Sequence, residues 1–171
     1  CVPFGHMMAA SKILGSLSLG REMGLDFPSI SKNYAALTKR QNELIAFMRQ
    51  GVAGVLKKNN VDLVEGRGRV AGKGRIEVNG VVLQCRNIIL ASGAGWLKLD
   101  FPGADLKGVI KSDDLLNMTK LPGSILLYGR SPWLIEIAQF LHNFDSEVIL
   151  ATEAKSILPD ENKAIRTRLS K

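Results

Sequence analysis

The chain has 171 residues, 46% of them apolar, which suits one full domain or two partial ones and excludes a disordered tail. No run approaches the ~18 apolar residues of a membrane span, and two cysteines, Cys1 and Cys85, are too few for a secreted disulfide scaffold. The net charge of +7 lies wholly in the first half, with 13 Lys+Arg against 6 Asp+Glu in residues 1–90 and 10 against 10 thereafter, so that half is the place to look for a bound anion.

The chain begins at Cys and closes on a helical pattern at Ala164–Lys171 without a stop signal, and is therefore expected to be a fragment. Behind Cys1-Val2-Pro3, Met7, Met8, Ala10, Ile13, Leu14 and Leu17 recur at helical spacing, with Gly20 as the stop. Residues 21–31 form a loop with Asp26, Ser29 and Ser31 as cap candidates. Leu37, Gln41, Leu44, Ile45, Met48, Val52, Val55 and Leu56 predict a long helix to Lys58, softened at Gly51 and Gly54.

The period then changes. Val61–Glu65 reads as a strand, and Arg75–Val78 and Val81–Gln84 flank Asn79-Gly80, the pair that a tight hairpin favours; residues 61–85 are expected to form a small antiparallel meander. Asn87–Ala91 is short, apolar and without alternation, as in a strand buried on both faces. Residues 96–122 read as a connector with a short helix near Ser112–Met118. After them come strand Ser124–Tyr128, the turn Gly129-Arg130-Ser131-Pro132, helix Trp133–Asn143 and strand Glu147–Thr152. This is a β-α-β unit with the spacing of a nucleotide-binding half-domain.

Cys1 stands beside a helix N-terminus, whose positive dipole end favours a thiolate, although a single Cys is more often a small buried apolar residue. Cys85, His142 and the stripe Trp133, Ile137, Phe140 and Leu141 read as packing. Ser92-Gly93 follows a buried strand, where parallel sheets place ligands; the plain alternative is a strand-exit glycine. The hairpin Arg67–Arg75 carries four cations but no aromatic ring for a base to stack on, so it reads as a solvated turn and not as a nucleic-acid contact. In the turn before the third helix only Gly129 of the dinucleotide glycine pattern is present, with Ser131 and Leu134 at the other two places. Spacing puts Thr152 where the ribose-binding acid is expected, leaving Glu153 one residue out of register.

Taken in order, Cys1-Val2-Pro3, Gly66-Arg67-Gly68, Ile88-Ile89-Leu90-Ala91-Ser92-Gly93, the glycine turn ending in Glu136, and Glu147–Leu150 with Leu158-Pro159 resemble the FAD-dependent pyridine nucleotide–disulfide oxidoreductases, nearest the dihydrolipoamide dehydrogenases. The resemblance implies an α/β fold, with a partial FAD-binding domain of helices plus an antiparallel meander (1–95), the connector (96–122) and the first β-α-β of a Rossmann-like NAD(P)-binding domain (123–171). It implies FAD, and NAD or NADP, as cofactors, a disulfide or dithiol substrate such as a lipoyl group, a cytoplasmic homodimer in full length, and no nucleic-acid or membrane partner. A divergent flavoprotein of this fold with a weak nicotinamide site and another electron donor is the alternative.

It further implies that Cys1 is the second cysteine of a redox pair, that Gly68 meets the adenine end of the flavin, and that Ser92, Gly93 and Ala94 form the turn against FAD. Gly129, Arg130, Ser131 and Glu136 would line the nicotinamide nucleotide, with Thr152 and Glu153 at its ribose. Where the family reads Cys-x-Pro-Ser-Lys, this chain has Phe4-Gly5. Glu136 thereby loses a cationic partner and is expected to take a proton or turn to water. The 171 residues alone are expected to lack turnover.

Overall fold

The computed structural model describes residues 2–169, and these divide into two compact units, residues 2–46 with 110–169 and residues 47–109. Among the described residues no helix is long and apolar enough to cross a membrane.

The first unit is built on helix packing around a parallel strand pair. Helix α1 (Val2–Glu22) runs one turn beyond expectation, because Gly20 lies inside it and is buried. A Cβ there would stand 2.9 Å from the Phe27 ring, so the glycine is a packing residue rather than a stop. Helix α2 (Tyr34–Lys58) is continuous through Gly51 and Gly54. Its cap is Asn33, whose Oδ1 accepts from the Ala36 N–H at 2.9 Å, in place of the three candidates upstream. Strand β4 (Ser124–Tyr128) pairs in parallel with β5 (Glu147–Ala151), and α3 (Pro132–Asn143) crosses between them. Pro132 suits the first helical turn, which has no use for its missing N–H.

The core of this unit gathers Met7, Tyr34, Leu115, Ile137, Phe140 and Leu141. Three of the six come from the α3 stripe read as packing. Tyr34, Phe140 and Phe144 form a cluster of rings with centroids 4.7 to 6.1 Å apart. Two polar ties secure the carbonyls of a 3₁₀ turn at Ser112–Asn117. The Tyr34 hydroxyl donates to Leu115 O at 2.5 Å and Gln41 Nε2 to Leu116 O at 3.3 Å. Asn143 Nδ2 holds Ser11 of α1 through Oγ (2.8 Å) and the carbonyl (3.2 Å). The predicted α1 stripe is only partly used: Met7 is buried, but Ile13 faces water. His142, read as packing, is exposed. A last helix, α4 (Lys163–Leu169), follows the loop after β5.

The second unit carries an antiparallel meander of β1 (Arg69–Gly72), β2 (Arg75–Val78) and β3 (Val81–Gln84). Asn79 (φ 51°) and Gly80 (φ 79°) supply the two left-handed positions that the tight hairpin needs. At the other turn Gly74 (φ 66°) packs on the backbone, where a Cβ would lie 2.6 Å from Cys85 O. Arg69 forms an ion pair with Glu77 across the β1–β2 pair.

Three expectations fail in this unit. Val61–Glu65 forms no strand and is exposed. Asn87–Ala91 forms no strand, and Ile89 and Leu90 are 91% and 75% exposed. Apolar runs become buried strands only beside neighbours that accept their backbone hydrogen bonds, and the described residues supply none there. Cys85, expected in a core, is exposed.

Two measurements test the first unit. Replacing Phe140 by Ala should cost about 3–5 kcal/mol, read as a lower urea midpoint, because the ring is 1% exposed. Burial pushes the Tyr34 hydroxyl from 10.0 up to about 12. The folded state then holds the phenolic proton more tightly than the unfolded chain. That stabilisation is complete below pH 10 and is lost as pH rises through 12. Urea melts across this window should show the decline, and the Tyr34→Phe variant should lack it.

Candidate functional site

The C-terminal ends of β4 and β5 bring together most of the residues that the sequence singled out in the first unit. The ladder runs in register from Ser124 opposite Glu147 to Tyr128 opposite Ala151, and one further bond, Gly129 N–H to Ala151 O at 3.1 Å, extends it into the turn. Ser146 fixes the opposite end, its Oγ donating to Pro122 O at 2.8 Å. Gly129 has φ 153°, a conformation that L side chains rarely adopt, and it releases the chain from the strand into α3. Open α/β sheets bind ligands at this edge, where helix N–H groups and strand carboxyl ends converge.

Arg130, next to the glycine, is half exposed and pairs with Asp160 of the loop after β5 at 3.4 Å. The Thr152 hydroxyl accepts from the Ala154 N–H at 3.2 Å and so closes a turn just past β5. The Tyr128 hydroxyl donates to Glu153. This bond and the carboxylate's charge raise the phenol above its ordinary value, burial adding a smaller push in the same direction. Tyr128 and Asp160 were not legible as site residues, since each acquires its position from a partner across the strand ends. The clue available for Tyr128 was its place as the last residue of β4, immediately before the glycine turn.

Ser131 stands at the N-cap position of α3 without a side-chain cap hydrogen bond, and Glu136 lies on the exposed side of that helix. Trp133 packs instead on Phe4 of α1, the rings edge to face at 5.2 Å. In the second unit Gly68 directly precedes β1, and an added Cβ there would make ordinary contact with Ile76 at 3.7 Å. Ser92, Gly93 and Ala94 are exposed and outside regular structure, with Gly93 at φ 75°. No hydrogen bond among the described residues joins them to Gly68. Cys1 lies outside the described residues. A shallow cavity of about 350 Å³ near Leu56, Asn60 and Asp62 contains none of the predicted site residues.

Comparison with known proteins bears directly on this arrangement. The model of the pyridine nucleotide-disulphide oxidoreductase family matches residues 2–171.

The chain belongs to that family.

Dihydrolipoyl dehydrogenase of Acholeplasma laidlawii is 28% identical over all of this chain and 52% of its own length. Mercuric reductase of Bacillus cereus is 25% identical over all of this chain and 27% of its own. The fold is shared with the HOCl-induced flavoprotein disulfide reductase RclA from Escherichia coli, at a TM-score of 0.82 and 22% identity, covering 99% of this chain and 36% of that one. The chain thus spans about half or less of these pyridine nucleotide–disulphide oxidoreductases.

The strand ends suit a nucleotide diphosphate in outline. The Gly129 turn brings backbone close to the edge, and Arg130 adds a cation. Ser131 and Leu134 narrow the approach, with a Leu134 methyl 3.7 Å from where a Gly129 Cβ would sit.

Gly129→Val should cost about 1–3 kcal/mol through backbone strain. Arg130→Gln, which removes an exposed ion pair, should change stability by no more than about 1 kcal/mol. Paired urea melts read the contrast, and equal effects would show that the turn does not depend on its glycine.

Proposed function

We propose that the protein carrying this sequence is an FAD-dependent disulfide oxidoreductase of the dihydrolipoyl dehydrogenase type. The observation that carries the reading is the parallel β4–β5 pair ending at Gly129 in front of α3, in a chain whose family is that of the pyridine nucleotide–disulphide oxidoreductases. In this reading residues 1–95 belong to a flavin domain, 96–122 connect, and 123–171 begin a nicotinamide domain. Gly68 and Ser92–Ala94 would approach FAD through backbone, and Gly129, Arg130 and Ser131 would hold the nicotinamide nucleotide. Bound flavin would relay an electron pair between NAD(P)H and a cysteine pair that includes Cys1; with two protons, that pair converts a disulfide substrate to two thiols.

This chain's own part is positional. Val2 and Pro3 open α1, Cys1 precedes them in the sequence, and a thiol next to a helix N-terminus is favoured as thiolate. Glu136 is exposed, and no ion pair among the described residues involves it. Residues 171 long, the chain alone should show no turnover, since relatives of this type are about twice its length or more. A disulfide or lipoyl-type substrate, dimerisation and a cytoplasmic setting belong to the same proposal.

The full-length protein should be yellow as purified, and anaerobic NADH or NADPH should bleach the flavin band. Alkylation of Cys1 should abolish disulfide reduction while leaving the bleaching intact. A flavin that neither nicotinamide bleaches would favour the alternative, a flavoprotein of this fold served by another donor; a colourless protein that also cannot be reconstituted with FAD would refute both.

A further inference from the structure

The first turns of α1 and α3 lie side by side. Phe4 meets Trp133 edge to face, with the ring centroids 5.2 Å apart, and further along both helices the Ser11 hydroxyl accepts from Asn143 Nδ2 at 2.8 Å. Contact advances from the start of each helix toward its later residues, so the two run in the same direction and their N-termini share one end of the first unit. Val2 opens α1 directly after Cys1 in the sequence. Helix ends fray unless side chains hold them, because their opening N–H groups have no partner within the helix. Of Val2, Phe4 and Gly5, only Phe4 packs against the core; Val2 and Gly5 are exposed, and a Cβ on Gly5 would meet nothing within 4 Å. Trp133 in turn stands one helical turn before Ile137, which is buried in that core.

We propose that Trp133, acting through Phe4, is a positioning residue for Cys1: the ring pair holds the first turn of α1 in place for the thiol that precedes it. The proposal rests on the reading of Cys1 as a member of a redox pair and adds what sets its place. Phe4 follows Cys1 by three residues, so the contact acts close to the thiol. An edge-to-face pair favours the held turn over the frayed one by about two- to tenfold beyond the area it buries. The bond from Asn143 to Ser11 joins the same two helices seven residues after Phe4 and supplies the internal comparison, since it ties α1 to α3 without touching the first turn.

Iodoacetamide alkylation of Cys1 in the reduced full-length protein at pH 7, followed by mass spectrometry of the peptide that carries it, reads the thiol without turnover. Phe4→Leu and Trp133→Leu should each slow alkylation by about two- to fivefold, the amount by which a well-formed helix N-terminus favours a thiolate. The double variant should match either single one, because each removes the same contact, and Trp133→Phe, which keeps a ring against Phe4, should stay near wild type. Asn143→Ala should lower the urea midpoint and leave the rate unchanged. Slowing in Asn143→Ala equal to that in Trp133→Leu would make the ring pair a general stabilising contact and overturn the proposal, as would Phe4→Leu alkylating as fast as wild type or faster. Protein alkylated at Cys1 that still reduces a disulfide overturns the redox-pair reading itself and, with it, any part of Trp133 in the reaction.

Discussion

The Phe140 ring is where the first unit is held together. It comes from the middle of α3, meets Tyr34 of α2 and Phe144 at the helix end, and shares a core with Met7 of α1 and Leu115 of the 3₁₀ turn. Full burial of one such side chain contributes about 1.5–3 kcal/mol, several times what an exposed ion pair of the Lys32–Asp145 kind supplies. Three segments distant in sequence therefore depend on one face of a twelve-residue helix. The face also has a functional consequence: once Ile137, Phe140 and Leu141 are fixed in the core, the N-terminus of α3 has one place to lie, at the ends of β4 and β5.

Polar contacts then set the fine position that packing leaves free. Ser146 Oγ on Pro122 O and the Glu147 N–H on Gly123 O (2.8 Å) start the parallel ladder, and its register determines which residues meet at the far end. Because side chains alternate along a strand, a slip of one residue would turn Tyr128 from the exposed face toward α3 and remove the donor that holds Glu153.

Local pattern sufficed for the β-α-β unit and for the β2–β3 hairpin of the meander, and for physical reasons. The α3 stripe has helical period, Asn79-Gly80 supplies both left-handed residues of a hairpin, and the Gly129 turn needs a backbone that only glycine adopts readily. Burial was legible only where the chain itself provides the cover. Ile89 and Leu90 have the composition of a buried strand, but burial is a property of neighbours and not of the run. Cys85 likewise ends a strand whose residues are all exposed. In the candidate site the glycine could be read from sequence, whereas Tyr128 and Asp160 could not, because their positions depend on a loop whose path no local rule determines. Asn33 takes the cap from the three candidates upstream because it directly precedes the first helical residue, three positions before the Ala36 N–H that it accepts.

The meeting of α1 and α3 shows how one contact type can replace another and change what the site offers. The family resemblance would join these helices through a lysine after the Cys-x-Pro sequence and the glutamate at position 136. Here Gly5 removes the cation, Phe4 and Trp133 meet edge to face, and Glu136 faces water. An aromatic pair contributes about 0.5–1.5 kcal/mol beyond its buried area, comparable with an exposed ion pair, so the helices need not be held less firmly. What changes is the field. An ion pair at this position would present a fixed positive charge whose strength falls with salt, whereas two rings present none. At this meeting of helices the described residues offer a helix dipole and backbone N–H groups in place of a paired cation, both set by the packing of Phe140 and its neighbours. The electrostatics of the site and the geometry of the core thus become one constraint.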